Sequence, residues 1–357
     1  MTQHRWGLLL LNLGTPDSPR VPDVRRYLRE FLSDPLVIDI PAVPRWLLVN
    51  LRIAPFRAPQ SAEAYEKVWT ERGSPLLFHT EDLATKVRAR LGGEAHVVVA
   101  MRYGKPSIAS ALTELRRENV HRVVVLPLFP QRSTAAWSSA VLEVFAQAAA
   151  LPDVPAFSVV PPFHDDPGFL RAFATVARPV FDDFTADRVL FSFHGIPERQ
   201  VLRCDPERRR GCLATPDCCA TLTARNRDCY RAQCFATARG IAAELGLADG
   251  AWEVAFQSRL GRTPWIRPFT DVRLVEMARE GVRRVVVFSP AFVADCLETL
   301  EEIALRNAAD FRAAGGEELR LVPSLNSHDA WADAVTALAR NAAGAPSRAQ
   351  APATEPA

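Results

Sequence analysis

Short β-branched or leucine-rich runs recur along the chain at 7–13, 95–101, 122–128, 157–160, 188–193, 253–257, 283–288 and 319–322. The stretches between them carry helical spacing of apolar positions, clearest at 108–115, 169–180 and 274–280. Strand patterns that alternate with helical ones predict βαβ units. Parallel neighbours need a crossover, and the crossover helices cover both faces of the sheet. The expectation is an α/β protein with parallel sheets and with element boundaries good to a few residues.

The two halves echo one another. LLLNLGTP (9–16) is similar to VLFSFHGIP (189–197), and VVVLPLF (123–129) to VVVFSPAF (285–292). Duplication of one α/β unit explains the echo, and 357 residues suffice for two domains of about 150 each. The expected division is 1–155, completed by a C-terminal helix at 328–341, and 156–327, followed by an Ala/Pro-rich disordered tail at 342–357. In such folds ligands bind beyond the carboxyl ends of the strands.

Composition narrows the function classes. Hydrophobic residues make up 48% and charged residues 24%, ordinary for a globular protein. A formal net charge of +2 predicts no nucleic-acid partner, since such binders concentrate basic charge on one face. The apolar run ending at Leu13 is too short and too weakly flanked by positive charge for a secretory signal. No window approaches the roughly 18 apolar residues that a membrane span needs, so a cytoplasmic protein is expected.

Four features carry candidate chemistry. His194 follows the run 188–193 directly and precedes Gly195, which puts an imidazole at a strand's carboxyl end, where it can take a proton or bind a metal. His79, His121, His164 and His328 are read as structural. Asp295, Glu298 and Glu302 stand at i, i+3 and i+7 of a predicted helix beginning at Asp295, one acidic face close to His194 in the fold. Acids also favour a helix N-terminus for its dipole alone, but with His194 they resemble a transient divalent-cation site. Six of seven cysteines fall within 204–234, and the spacing Cys212-x5-Cys218-Cys219-x9-Cys229 admits zinc, a [2Fe–2S] cluster or unligated thiols. The cluster is favoured over zinc because the usual C-x2–4-C spacing is missing. Segment 41–59, PAVPRWLLVNLRIAPFRAP, interleaves apolar residues with Arg45, Arg52 and Arg57. It reads as a packed amphipathic helix, as the lip of a pocket for a flat acidic ligand, or as a membrane contact.

The ordered motifs LLNLGTPDSP (10–19), SAEAYEKVWTERGSPL (61–76), MRYGKPSI (101–108), LFPQRSTA (128–135), SFHGIPER (192–199), FQSRLGRTPWIRPFT (256–270) and FSPAFVADCLETLEEI (288–303) resemble the ferrochelatases over nearly the whole chain. The resemblance implies two flavodoxin-like domains, each with a four-stranded parallel sheet, around a porphyrin cleft. Fe²⁺ and a porphyrin would be the substrates, in a late step of haem synthesis. It makes His194 the active-site histidine and Glu298 its carboxylate partner, with Asp295 and Glu302 on an acidic path. Arg57, Ser74, Arg102, Tyr103 and Trp265 would line or border the porphyrin pocket. Cys296 departs from the histidine of many members. The enlarged segment 204–234 resembles a subgroup with an internal [2Fe–2S] cluster, implying Cys212, Cys218, Cys219 and Cys229 as ligands. The wording of NLGTPD and HGIP is more similar to enzymes of protoporphyrin IX than of coproporphyrin III. A porphyrin-binding protein without turnover is the rival from another class, disfavoured because binding alone requires no base.

Overall fold

Alternation of side chains about each strand organises the molecule. In the computed structural model, which describes residues 5–205, 212–215, 217–261 and 263–344, the apolar runs are β1 (Trp6–Thr15), β2 (Ala95–Gly104), β3 (Arg122–Pro127), β4 (Ala156–Val159), β5 (Arg188–His194), β6 (Trp252–Gln257), β7 (Arg284–Phe288) and β8 (Glu318–Leu321). They form two four-stranded sheets of order β2-β1-β3-β4 and β6-β5-β7-β8, every pairing parallel. The two orders are the same pattern used twice, with β1 and β5 in corresponding central places. The expected class, two α/β units with four-stranded parallel sheets, is the observed one.

Twelve α-helices lie among the described residues: α1 (Val21–Ser33), α2 (Ala42–Leu47), α3 (Ala54–Val68), α4 (Pro75–Leu91), α5 (Ile108–Arg117), α6 (Ser139–Ala149), α7 (Pro167–Asp183), α8 (Glu198–Arg203), α9 (Tyr230–Leu245), α10 (Thr270–Arg279), α11 (Ala308–Ala313) and α12 (Asp329–Ala343). Start signals are local: Ser107 caps α5, and Asp166 accepts the Phe169 N–H ahead of Pro167 in α7. Three stretches are wound as π-helix, Leu48–Ile53, Thr134–Ser138 and Glu298–Asn307, a form frequent at functional sites.

Burial on both sheet faces explains the near-continuous apolar strands. Leu9 and Leu11 of β1, with Val123 and Val125 of β3, face a core under α5 and α6. Leu190, Val285 and Val287 face a second core with α10 and α11. The alternate residues Leu8, Leu10, Val124, Leu126, Phe191, Phe193, Val286 and Phe288 meet in a third that runs from one sheet to the other through α7, α9 and α12. The rings of Phe191 and Phe288 stack there, 4.8 Å between centroids. Helix α12 packs on α4 and α7, and Arg340 pairs with Glu94 just beyond α4, so the last helix among the described residues returns to the first sheet. Of the expected disordered tail at 342–357, Ala342 and Ala343 instead extend α12, and residues beyond 344 lie outside the described residues.

The echoed motifs mark equivalent corners. Gly14 has φ +120°, and a Cβ there would stand 1.8 Å from the Tyr103 carbonyl oxygen of β2, so only glycine fits. At Gly195 a Cβ would meet the carbonyl oxygens of Gln257 and Ser258 at 3.0 and 3.1 Å. In both sheets the central strand leaves beside its neighbour's backbone, and a glycine permits the approach.

His164, on the connection from β4 to α7, is buried, and among the described residues neither of its ring nitrogens nor the buried Nδ1 of His79 has a hydrogen-bond partner. Burial lowers the pKa of each. A base held neutral in the native state gains protons first in the unfolded chain. Stability is therefore expected to fall as pH drops through about 6.5, by up to about 1.4 kcal/mol per pH unit for each proton refused. Thermal unfolding between pH 8 and 5 measures this, and His164→Phe should flatten part of the slope. An unchanged slope in that variant contradicts the assignment.

Candidate functional site

The carboxyl ends of β1 and β5 open into one cleft of about 1250 Å³, its mouth included. Asn12–Thr15 arrive from β1, His194–Pro197 from β5, and Ala291–Ala294 from the loop after β7. Tyr27 and Phe31 of α1, Tyr65 of α3, Ser74 and Trp265 complete much of the wall. This is the crevice outside strand ends where open α/β sheets hold ligands. The wall is largely apolar, and none of the described residues lining it is Lys or Arg.

His194 is fixed from three sides. It is the last residue of β5 and pairs in register with Gln257, and the Gly195 N–H donates to the Gln257 carbonyl at 2.6 Å. The Tyr230 hydroxyl donates to the His194 carbonyl at 2.7 Å. Its Nδ1 lies 2.6 Å from the Gly195 carbonyl oxygen. A carbonyl only accepts, so Nδ1 carries the proton and Nε2 is the basic nitrogen. Phe292 stands edge-on to the imidazole, 6.2 Å between ring centroids.

Glu298 lines the same cleft from the first turn of the third π-helix. Gln257 ties it to the histidine: the amide of this buried side chain donates to the Glu298 carbonyl at 3.0 Å, while its Oε1 accepts from Ser192 at 2.7 Å. One glutamine thus holds the backbone of both residues. Burial, together with the negative charge of the Glu298 carboxylate, pushes the pKa of the Cys296 thiol well up. Burial, then the same carboxylate, raises Tyr65. Burial foremost, with the Tyr65 hydroxyl and then the same carboxylate adding to it, also raises Tyr27. The acid is ringed by groups that keep their protons.

The family model described as Ferrochelatase matches residues 5–343. The chain belongs to the ferrochelatase family. It is similar to "Ferrochelatase" of Coxiella burnetii (strain Dugway 5J108-111), 44% identical over 341 residues and 94% of each chain. To "Ferrochelatase" of Legionella pneumophila (strain Lens) it is 45% identical over 336 residues, 94% of this chain and 98% of the relative. Among solved structures, "SirB from Bacillus subtilis with Fe3+" superposes with a TM-score of 0.51 at 14% identity, covering 95% of this chain and 98% of that one, a likeness of fold. Ferrochelatase membership makes the chain an enzyme, a lyase whose substrates are ferrous iron and a porphyrin.

The positions implied by ferrochelatase resemblance fall into three groups. His194, Glu298, Ser74 and Trp265 line the cleft together. Ser74 accepts from Thr15 at 2.8 Å, and the Trp265 indole N–H donates to the Leu260 carbonyl. Arg102 and Tyr103 border it, one layer behind. Asp34 takes the Arg102 guanidinium at 2.7 Å and the Tyr103 hydroxyl at 2.8 Å, and the Tyr103 ring backs the wall residue Phe31 at 5.0 Å. Arg57 stands exposed on α3, outside the lining.

The acidic face is corrected. Helical winding starts at Leu297, not Asp295, and becomes π-helical at Glu298, so the i, i+3, i+7 geometry does not form. Asp295 accepts instead from the Asn326 amide at 2.7 Å, the Ser324 N–H at 3.2 Å and the Thr299 hydroxyl at 3.0 Å. Glu302 accepts from the Ser258 N–H at 3.1 Å and hydroxyl at 2.6 Å.

Cys212, Cys218, Cys219 and Cys229 do converge. With Cys204 they line a recess of about 1090 Å³, mouth included, although 206–211 and 216 of the expected insert lie outside the described residues. The Cys218 and Cys219 sulfurs are 3.6 Å apart. The neighbouring Cys229 thiol lowers the pKa of Cys212, and Cys212 in turn pushes Cys229 up to about 11. Among the described residues no group of three or more His, Cys, Asp or Glu stands ready-arranged for a metal ion. The thiols suit a thiolate-bound centre in kind, and Cys218 with Cys219 also in proximity.

Sequence reasoning missed Gln257, Tyr27 and Tyr65, and set Cys296 aside. The available signal was a glutamine closing a strand directly after the apolar Val254–Phe256, where a buried amide must find partners.

Proposed function

We propose that the cleft holds a porphyrin between His194 and Glu298 while Fe²⁺ is inserted, with protoporphyrin IX the preferred substrate and haem the product. The carrying observation is that both side chains line one largely apolar cleft. Metallation removes two pyrrole N–H protons from a ring that resists entry while flat, so the protein must bend the ring and supply a base. Nε2 of His194 accepts one of the two protons, since Nδ1 is committed to Gly195, and the Glu298 carboxylate accepts the other as Fe²⁺ enters. In the nearest variant His194 ligates the incoming iron first. A lining that holds no Lys or Arg among the described residues supports two propionates over the four of coproporphyrin III, since buried carboxylates need partners. Turnover of the two porphyrins with Fe²⁺ under anaerobic conditions, followed by absorbance, tests this. Haem formation with preference for protoporphyrin IX is expected. Porphyrin binding without metallation would favour a non-catalytic binder, and preference for coproporphyrin III would reverse the substrate assignment.

Cys212, Cys218, Cys219 and Cys229 would hold a [2Fe–2S] cluster, which when bound supplies one-electron redox chemistry. Protein purified anaerobically is expected to be brown, absorbing beyond roughly 400 nm; colourless protein with stoichiometric zinc contradicts this. The two units would act as domains, α12 completing the first. The lip at 41–59 exposes Val43, Trp46, Leu47, Leu51 and Phe56, Phe56 to 77%, which supports peripheral membrane contact. No helix among the described residues is long and apolar enough to cross a membrane.

A further inference from the structure

Asp39 lies on the segment between α1 and α2, far in sequence from the helix that holds it. Its carboxylate takes Arg199 Nε at 2.7 and 3.0 Å from its two oxygens, the Arg199 Nη2 as well, and Arg203 Nη1 at 2.8 Å. The Asp39 side chain is 8% exposed and that of Arg199 34%, so the pairing is partly desolvated. Burial alone would raise the Asp39 pKa, but the two guanidiniums outweigh it and hold it below the usual carboxylate range.

Both sides of this contact reach the cleft. Val37, two residues before Asp39, lines it. The Arg45 guanidinium donates to the Ile38 and Ile40 carbonyls on either side of Asp39, at 3.4 and 2.7 Å, joining the segment to the apolar lip. On the other side α8 begins directly after the His194–Pro197 turn. Its Gln200, between the two arginines, lines the cleft and accepts from the Thr134 hydroxyl at 3.2 Å. A link between Asp39 and α8 therefore spans the cleft from the first half of the chain to the second, beside the histidine turn and not through it.

We propose that Asp39 is a positioning residue for the porphyrin site: its clasp on Arg199 and Arg203 holds the 34–41 edge and the lip against α8 and sets the width of the cleft. This rests on the cleft being the porphyrin site. The chemical pair is anchored separately, through Gln257, so loosening the clasp weakens binding and leaves the metallation step in place. Replacing Asp39 by asparagine strands two guanidiniums and frees the edge.

Steady-state metallation gives the test. Asp39→Asn is expected to raise KM for the porphyrin about tenfold with kcat within about twofold, Asp39→Glu to restore most of it, and added salt to raise KM more in the wild type than in Asp39→Asn. Arg199→Lys keeps the charge but loses the fork and should raise KM about threefold. Thermal melting shows which variants fold, and Arg199→Lys decides if Asp39→Asn does not. Unchanged KM, or a fall in kcat alone, overturns the clasp. A wild type that metallates no porphyrin overturns the functional reading instead and leaves direct porphyrin affinity, by fluorescence quenching, to judge the clasp.

Discussion

His194→Ala is expected to slow iron insertion by about 10²- to 10⁴-fold while porphyrin still binds, the range typical of losing a positioned general base. The imidazole's tautomer is set by the Gly195 carbonyl, and its backbone is pinned by Tyr230 and, through Gly195, by Gln257. Deleting the ring therefore removes the basic Nε2 without releasing the strand end. Porphyrin affinity, read by fluorescence quenching, should change far less than kcat, because the rest of the lining is untouched. A wild-type kcat in this variant would dismiss His194 both as base and as iron ligand. Raised affinity with lowered kcat would instead indicate that the imidazole strains the bound ring.

Trp331→Ala is expected to cost about 3–5 kcal/mol, a fall in Tm on the order of 10 °C. Trp331 is fully buried in the core shared by the two sheets, its ring 5.6 Å from that of Phe163 and 5.9 Å from that of Phe169. It sits on α12, which docks on α4 and α7, so the cavity would open where the last helix closes over the first sheet. The indole N–H has no partner among the described residues, so Trp331→Phe gives up packing volume and no hydrogen bond and should cost much less. Calorimetric unfolding of both variants checks this. A loss below 1 kcal/mol for Trp331→Ala would mean that α12 is not integral to that core.

The strands were legible because burial on two faces writes apolar residues at nearly every position, as in Leu8–Leu11, all fully buried. The repeated corner was legible for a related reason: Gly14 and Gly195 each sit against a neighbouring strand's backbone, a constraint that leaves a recurrent residue type. The acidic face misled because spacing on paper assumes a 3.6-residue turn. The winding from Glu298 is π-helical, and Asp295 bonds to the loop around Asn326. No local pattern announces such widening, since it depends on what the turn packs against. Gln257 was hidden because its role is a pairing register, which emerges only when β5 and β6 lie side by side. The segment 41–59 was plainly apolar, yet only the structure distinguishes Val49 and Ile53, which are buried, from Trp46 and Phe56, which face outward.

The most direct measurement is a crystal structure of the protein with a stoichiometric, metal-free porphyrin. The macrocycle should lie in the cleft between the His194 imidazole and the Glu298 carboxylate, bent out of plane, its propionates directed to the mouth. A porphyrin bound outside this cleft, or seated with His194 and Glu298 on the same side and out of reach of the pyrrole nitrogens, would contradict the account.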